Sequence, residues 1–339
     1  MFGIERNVMV DIMAEAVSSG PPLRVGDLVV IRPLAEIVAT LDDKGSLDGM
    51  PFMPEMAAYC GQRATVVKRA HKTCDGHGHL RWLDDAVHLD GLHCDGSAHG
   101  GCQARCLMYW KVSWLRRVDD TEVQSLPRVA GGDADLLARL ARTTWDAADG
   151  TVRYMCQATE VTAASRPLPV GEVKQYLWDI SSGNYSIWAF TRIMTKAVFN
   201  RYQRWSANHL PSALRVHDGH SLNYIQGHGT STPKSTLDLR VGERVRVRPR
   251  REIEATLDEH NHNRGLLIDA EDATWCGADS TVIARVRRFV NDETGEMIEI
   301  KSDCVMLDGV GCRGEYWRMC SRGLPTYWRE IWLDRIDDQ

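Results

Sequence analysis

Ten cysteines stand among 339 residues, and their spacing is the first chemical signal in the chain. Cys94, Cys102 and Cys106 lie on one glycine-rich stretch, HCDGSAHGGCQARC. Cys312 and Cys320 repeat the first two, again eight residues apart, 218 positions later. Four thiolates close a tetrahedral site around zinc, or hold an iron–sulfur cluster. Glycine lets the backbone fold tightly around such an ion. The first expected ligand set is Cys94, Cys102 and Cys106, with Cys74 supplied by a nearby hairpin. The second is Cys312 and Cys320 with Cys304 and Cys276, because Cys106 aligns with Leu324 and Cys304 stands where the first copy has Ala86. A hairpin turning near His79 and Leu80 would set Cys74 across from Ala86, so the third ligand would have moved to the neighbouring strand. Cys60 matches Cys276 but is not needed for the first set. The spacing fits neither a CxxC zinc ribbon nor a CxxCxxC ferredoxin run. Zinc comes first as the cofactor, an iron–sulfur cluster second.

His88, His93 and His99 crowd the first set and have no counterparts in the second. One of them is a candidate ligand; the competing reading makes them polar loop histidines or partners that orient ligands. The candidates for catalysis are Cys156 and Glu160, whose spacing of four puts both on one face of a helix. A carboxylate beside a thiol raises its pKa and makes it a poor nucleophile, so a buried structural thiol is the competing reading.

The elements that position these residues come in two copies. LRVGDLVVIRPLAEIVATLD (23–42) and LRVGERVRVRPRREIEATLD (239–258) share 13 of 20 residues. VHLDGLHCDGSAHGGCQARCLMYWKVSW (87–114) is matched by VMLDGVGCRGEYWRMCSRGLPTYWREIW (305–332). A period this long means two copies of a domain, not a solenoid. Alternation such as Val245 and Val247 against Arg244, Arg246 and Arg248 reads as a half-buried strand, ended by Pro249. STVIARVRRFV and EMIEIKSDCVML flank NDETG as a hairpin. The expected class is α+β: two pseudo-repeated, small SH3-like β-barrel domains, each with a cysteine-rich metal site, flanking a central helical domain. The expected boundaries are an N-terminal tail or short helix over 1–22, the first repeat over 23–120, the helical domain over 121–205, a linker over 206–236, and the second repeat over 237–339. Within the helical domain, DADLLARLARTTWDAA reads as an amphipathic helix. Two more helices are expected, one stopping near Ser182-Gly183-Asn184 and one from about Tyr185 to Trp205.

The runs LDDKGSLDGMPFMPEMAAYCG, KTCD, VHLDGLHCDGSAHGGCQARC, YMCQATE and SGN resemble a family of uncharacterised bacterial proteins. The resemblance covers most of the chain and implies a bacterial, cytoplasmic protein with no assigned activity. A net charge of −5 argues against a protein devoted to coating nucleic acid. The basic stretch from Arg192 to Arg251, with Phe199, Tyr202 and Trp205 interleaved, keeps RNA as a lesser alternative. No apolar run reaches membrane-spanning length. There is no P-loop, no GxGxxG, no HExxH and no GxSxG. The leading expectation is a metal-binding enzyme or enzyme component acting on a small molecule between barrels and helices. The alternative is a non-catalytic module with structural zinc that binds RNA or a protein partner.

Overall fold

A computed structural model describes residues 21–75, 79–118, 140 and 143–336. The expected N-terminal tail and most of DADLLARLARTTWDAA lie outside them.

In chain order, β1 (Leu28–Ile31) leads through α1 (Leu34–Val38) to a ribbon of β2 (Ser46–Leu47) and β3 (Met50–Pro51). A 3-10 turn at Pro54–Tyr59 precedes the long β4 (Arg63–Arg69). The hairpin of β5 (Lys72–Cys74) and β6 (Leu80–Trp82) follows, then β7 (Ala86–Leu89), β8 (Trp110–Lys111) and β9 (Leu115–Arg117). The middle of the chain holds β10 (Thr144–Asp146), β11 (Val152–Tyr154), α2 (Gln157–Glu160), β12 (Arg166–Pro167), α3 (Lys174–Ser181) and α4 (Ile187–His209). Next come β13 (Arg244–Val247), α5 (Arg250–Glu254), the ribbon β14 (His262–Asn263) and β15 (Leu266–Leu267), and the long β16 (Asp279–Arg285). The hairpin β17 (Arg288–Val290) and β18 (Met297–Glu299) is followed by β19 (Cys304–Leu307), β20 (Trp328–Arg329) and β21 (Leu333–Arg335).

Two antiparallel five-stranded sheets result, ordered β8-β7-β4-β1-β9 and β20-β19-β16-β13-β21. Both carry a bulge at the same place in the long strand, between Val66 and Lys68 and between Val282 and Ala284. Among the described residues no ladder joins the two edges of either sheet, so no closed barrel is seen, contrary to expectation. The fold is a mixture of several small antiparallel sheets with few helices. Alternation decides which face is buried: Val245 and Val247 point into the core, and Arg244 and Arg246 to solvent. Trp110 and Trp114 fill the first core, and Trp328 and Trp332 the second, all fully buried. Each C-terminal Trp donates to a threonine just past a short helix, Trp114 to Thr40 at 3.1 Å and Trp332 to Thr256 at 2.8 Å. Phe52 packs edge-on against both first-core tryptophans.

The middle region departs from the helical expectation. Thr144–Asp146 pairs with Val152–Tyr154 as a ribbon, its turn carrying Gly150 at φ +77°, and β-branched Thr143 and Thr144 fit a strand better than a helix. The two later helices are present, with Gly183 (φ +82°) ending the first and Ser186 capping the second. The second helix runs on to His209, into the expected linker.

Candidate metal centre

The loop that carries the cysteines is shaped by its backbone. The Cys94 amide donates to the Cys106 carbonyl at 2.9 Å. Gly96 sits at φ +73°, and a Cβ there would lie 1.9 Å from the Cys102 carbonyl oxygen. Only glycine allows that approach, and it folds the Cys102 backbone back onto Gly96. The second copy repeats each feature. The Cys312 amide donates to Leu324 at 2.9 Å, and Gly314 (φ +71°) would set its Cβ 2.3 Å from the Cys320 oxygen.

Three donors converge beside the first loop. Cys94 Sγ lies 3.5 Å from Glu55 Oε1 and 3.4 Å from His99 Nε2. His99 Nδ1 is 3.7 Å from the same Glu55 oxygen, and both side chains are almost wholly buried. Among the described residues, this is the one group of three His, Cys or acidic donors within 4.8 Å of one another. Glu55 comes from the 3-10 turn after Pro54, a turn that the proline starts. Two of its neighbourhood's polar atoms, His99 Nδ1 and Glu55 Oε2, are buried without a hydrogen bond. Leaving such atoms unmade costs on the order of 1–3 kcal/mol each. Burial raises the pKa of Glu55 and lowers that of His99. Burial, then the charge of Glu55, pushes the Cys94 thiol well up.

A small cavity of about 40 Å³ opens on this group, and Cys102, Cys106 and Cys156 also line it. Burial pushes Cys106 up to about 11 and Cys156 up to about 12. Cys156 is delivered by Gln157, whose side chain is locked in the core. It accepts from the Tyr109 amide at 2.8 Å and donates to the carbonyls of Pro51 at 3.0 Å and Tyr109 at 2.9 Å. The second half of the chain closes the cavity with Val290, Arg322 and Leu324. The Val290 amide donates to Cys102 Sγ at 3.3 Å. Comparison with known protein families, curated proteins and solved structures found no match.

Of the first expected set, Cys94, Cys102 and Cys106 line this cavity, as does Cys156, and Cys74 does not. Cys74 pairs with Leu80 in the hairpin, while Ala86 faces Lys111. The expected cross-strand relation of Cys74 and Ala86 therefore fails. The hairpin of β5 and β6 is a separate sheet from the strand that holds Ala86. Cys74 packs instead with Cys320, beside Leu80, Trp82, Leu168 and Trp317. Of the second set, Cys312 and Cys320 lie on the second loop, where Gly314 packs against the Cys320 backbone. Cys276 packs on the second core near Arg250, Glu254 and Asp272, and Cys304 is buried in β19 opposite Arg329. Neither lines the cavities described here. Cys60 packs against the first core. Glu160 accepts from Thr159 Oγ1 at 3.2 Å, and it is Cys156 alone of that pair that reaches the cavity.

Of the three histidines that crowd the first set, His99 belongs to the donor group. His93 Nδ1 meets the Arg105 carbonyl at 2.9 Å and His88 Nδ1 the Met108 carbonyl at 3.0 Å. Sequence reasoning missed Glu55. Its signal was present, since Glu271 holds the aligned place in the second copy. There the carboxylate is taken up by the amides of Arg313, Glu315 and Tyr316, and Trp317 replaces His99.

Part of the basic stretch is ion-paired. Arg192 and Lys196 meet Glu315 at 2.9 and 2.5 Å, Arg246 meets Asp279, and Arg248 meets Asp334. Among the described residues no helix is long and apolar enough to cross a membrane.

Proposed function

We propose that this chain is a metal-binding protein. Its centre is held by Cys94, His99 and Glu55, completed by one of the three thiols on the cavity wall. The observation that carries this reading is the convergence of three unlike donors, two with orphaned atoms, on one buried point. Zinc accepts sulfur, nitrogen and oxygen at about 2.0–2.3 Å, which sets neighbouring ligand atoms roughly 3.3–3.8 Å apart in a tetrahedron. The separations of 3.4 and 3.5 Å around Cys94 match that spacing. A Cys–His–Glu relay fits less well. In a relay the acid holds the far side of the imidazole, away from the nucleophile. Glu55 Oε1 does lie on the Nδ1 side of the ring, but at 3.7 Å it is beyond hydrogen-bond reach, and the same oxygen is 3.5 Å from the thiol itself. Four thiols around one cavity keep an iron–sulfur cluster as the alternative cofactor.

The centre is of a structural kind, supported by an apolar wall of Met53, Leu107, Met108, Val290 and Leu324 that draws on both halves. A bound ion supplies a fixed crosslink between the cysteine loop, the turn of Glu55 and α2. Elemental analysis of chain purified without chelators tests the reading. About one equivalent of metal should be lost in Cys94→Ser and in His99→Ala. Zinc gives colourless protein, and a cluster a brown one. Full metal content in both variants would overturn the proposal.

A further inference from the structure

We propose that the pocket where β4, the start of α4 and the second cysteine loop meet binds a small phosphate dianion, either inorganic phosphate or a phosphate monoester. It shares no lining residue with the cavity beside Cys94.

The walls are fixed before a ligand arrives. The pocket measures about 310 Å³, at the small end of the roughly 300–1,000 Å³ of ligand sites. Lys68 reaches it from β4, Asn184 and Tyr185 from the turn between α3 and α4, Arg192 from the second turn of α4, and Arg313 and Glu315 from the second loop. Asn184 accepts from the Arg69 amide and donates to the Arg69 carbonyl, each at 2.8 Å. The Tyr185 hydroxyl donates to the Arg313 carbonyl at 2.9 Å. These bonds tie the turn to both halves of the chain, so a ligand meets a preformed site and little ordering opposes its binding.

The charges of the lining do not balance. Lys68, Arg192 and Arg313 bring three positive charges and Glu315 one negative. Glu315 is already committed, to Arg192 at 2.9 Å and to Lys196 at 2.5 Å. Glu271, whose charge also reaches Lys68, is taken up by the amides of Arg313, Glu315 and Tyr316. Among the described residues neither Lys68 nor Arg313 has a carboxylate within ion-pair distance. The Arg313 guanidinium stacks on Trp275, 3.8 Å from the ring centroid. Stacking uses its face and leaves the N–H groups of its edge able to donate. Lys68 is half-buried, and burial lowers its pKa, the mark of an ammonium short of solvation that a bound anion relieves. Arginine forks match phosphate oxygens, and lysine adds a point charge. Two cations without partners suit the charge of about −1.5 to −2 on a phosphate better than the single charge of a carboxylate.

The test is calorimetric titration of the full chain, purified without chelators, with inorganic phosphate, with glycerol phosphate as the monoester, and with acetate. About one phosphate should bind per chain. Lys68→Gln and Arg313→Gln should each weaken binding about tenfold or more, the scale of losing a hydrogen bond between charged groups. Glu315→Gln should tighten it, because the change removes the one negative charge of the lining and releases Arg192. Glycerol phosphate bound more tightly than phosphate assigns the rest of the pocket to the organic part of an ester, and equal affinity assigns the site to the free ion. Acetate bound as tightly as phosphate would overturn the proposal. So would wild-type affinity in both cation variants, or no saturable binding up to about 1 mM, the upper end of ordinary substrate affinities. Arg313 is exposed, so Arg313→Gln decides alone if Lys68→Gln fails to fold. A folded Cys94→Ser should bind phosphate like wild type; loss of binding there would place the anion on the metal and sink the pocket.

Discussion

At the scale of single residues, burial decides which groups are active. His88 is fully buried, and its ring Nε2 has no hydrogen-bond partner among the described residues. Burial pushes its pKa down to about 4. The folded chain therefore holds a neutral imidazole that the unfolded chain protonates below about 6.5. The sign follows from proton counting. Above that value both states are neutral and His88 has no pH effect. As pH falls from 6.5 toward 4, the unfolded state binds the extra proton and stability is lost. By pH 5 the loss from this residue is about 2 kcal/mol, and below 4 it levels off at about 3. His88→Gln should therefore lose less stability than wild type between pH 7 and pH 5, read from urea midpoints at each pH. Parallel losses in the two proteins would show that His88 is not the group responsible. Residue types were legible in the sequence where they repeat, as with Cys94 and Cys312. Glu55 and His99 were not, because a carboxylate and an imidazole are common on loops and only the folded turn brings them to one thiol.

At the scale of elements, the cysteine loop is made by its glycines, and they are not equivalent. Gly96 and Gly101 both have φ near +70°. A Cβ at Gly101 would meet nothing within 4 Å, whereas one at Gly96 would collide with the Cys102 backbone. Gly101→Ala carries only the strain of a left-handed residue, about 1–2 kcal/mol. Gly96→Ala must in addition move the backbone that presents Cys102, so it should cost more than that and abolish metal retention at the first centre. Melting temperature and metal content of the two variants check this. Similar behaviour of the pair would mean that the close approach is unimportant. The same physics explains what the sequence told of the fold. Strand alternation, the Asn291–Gly295 turn and the helix stop at Gly183 are local signals, and they are found where the pattern places them. Sheet closure and the partner of Cys74 are long-range. A hairpin can swing out of one sheet into another without changing a single local preference, and β5 with β6 does so.

At the scale of the molecule, the two halves meet through the cysteine loops. Gln103 accepts from the Arg287 amide at 2.7 Å and donates its own amide to the Arg288 carbonyl at 3.0 Å. Arg322 lines the first cavity and donates to the Cys74 carbonyl at 2.8 Å. Its positive charge opposes the rise that burial causes at the Cys106 thiol. Removing it should weaken metal binding at the first centre, since a cavity thiol loses its neighbouring cation and its proton becomes harder to displace. Arg322→Met keeps the bulk of the side chain and removes the charge. Competition with a chromophoric chelator should show the metal of this variant leaving more readily than in wild type, with Arg322→Lys in between because lysine restores charge but not the planar, two-pronged donor. The expected loss is about tenfold in affinity, the scale of losing a group that supports metal ligands from outside. Metal that leaves Arg322→Met no faster than wild type would mean that the cavity thiols are held without help from this charge.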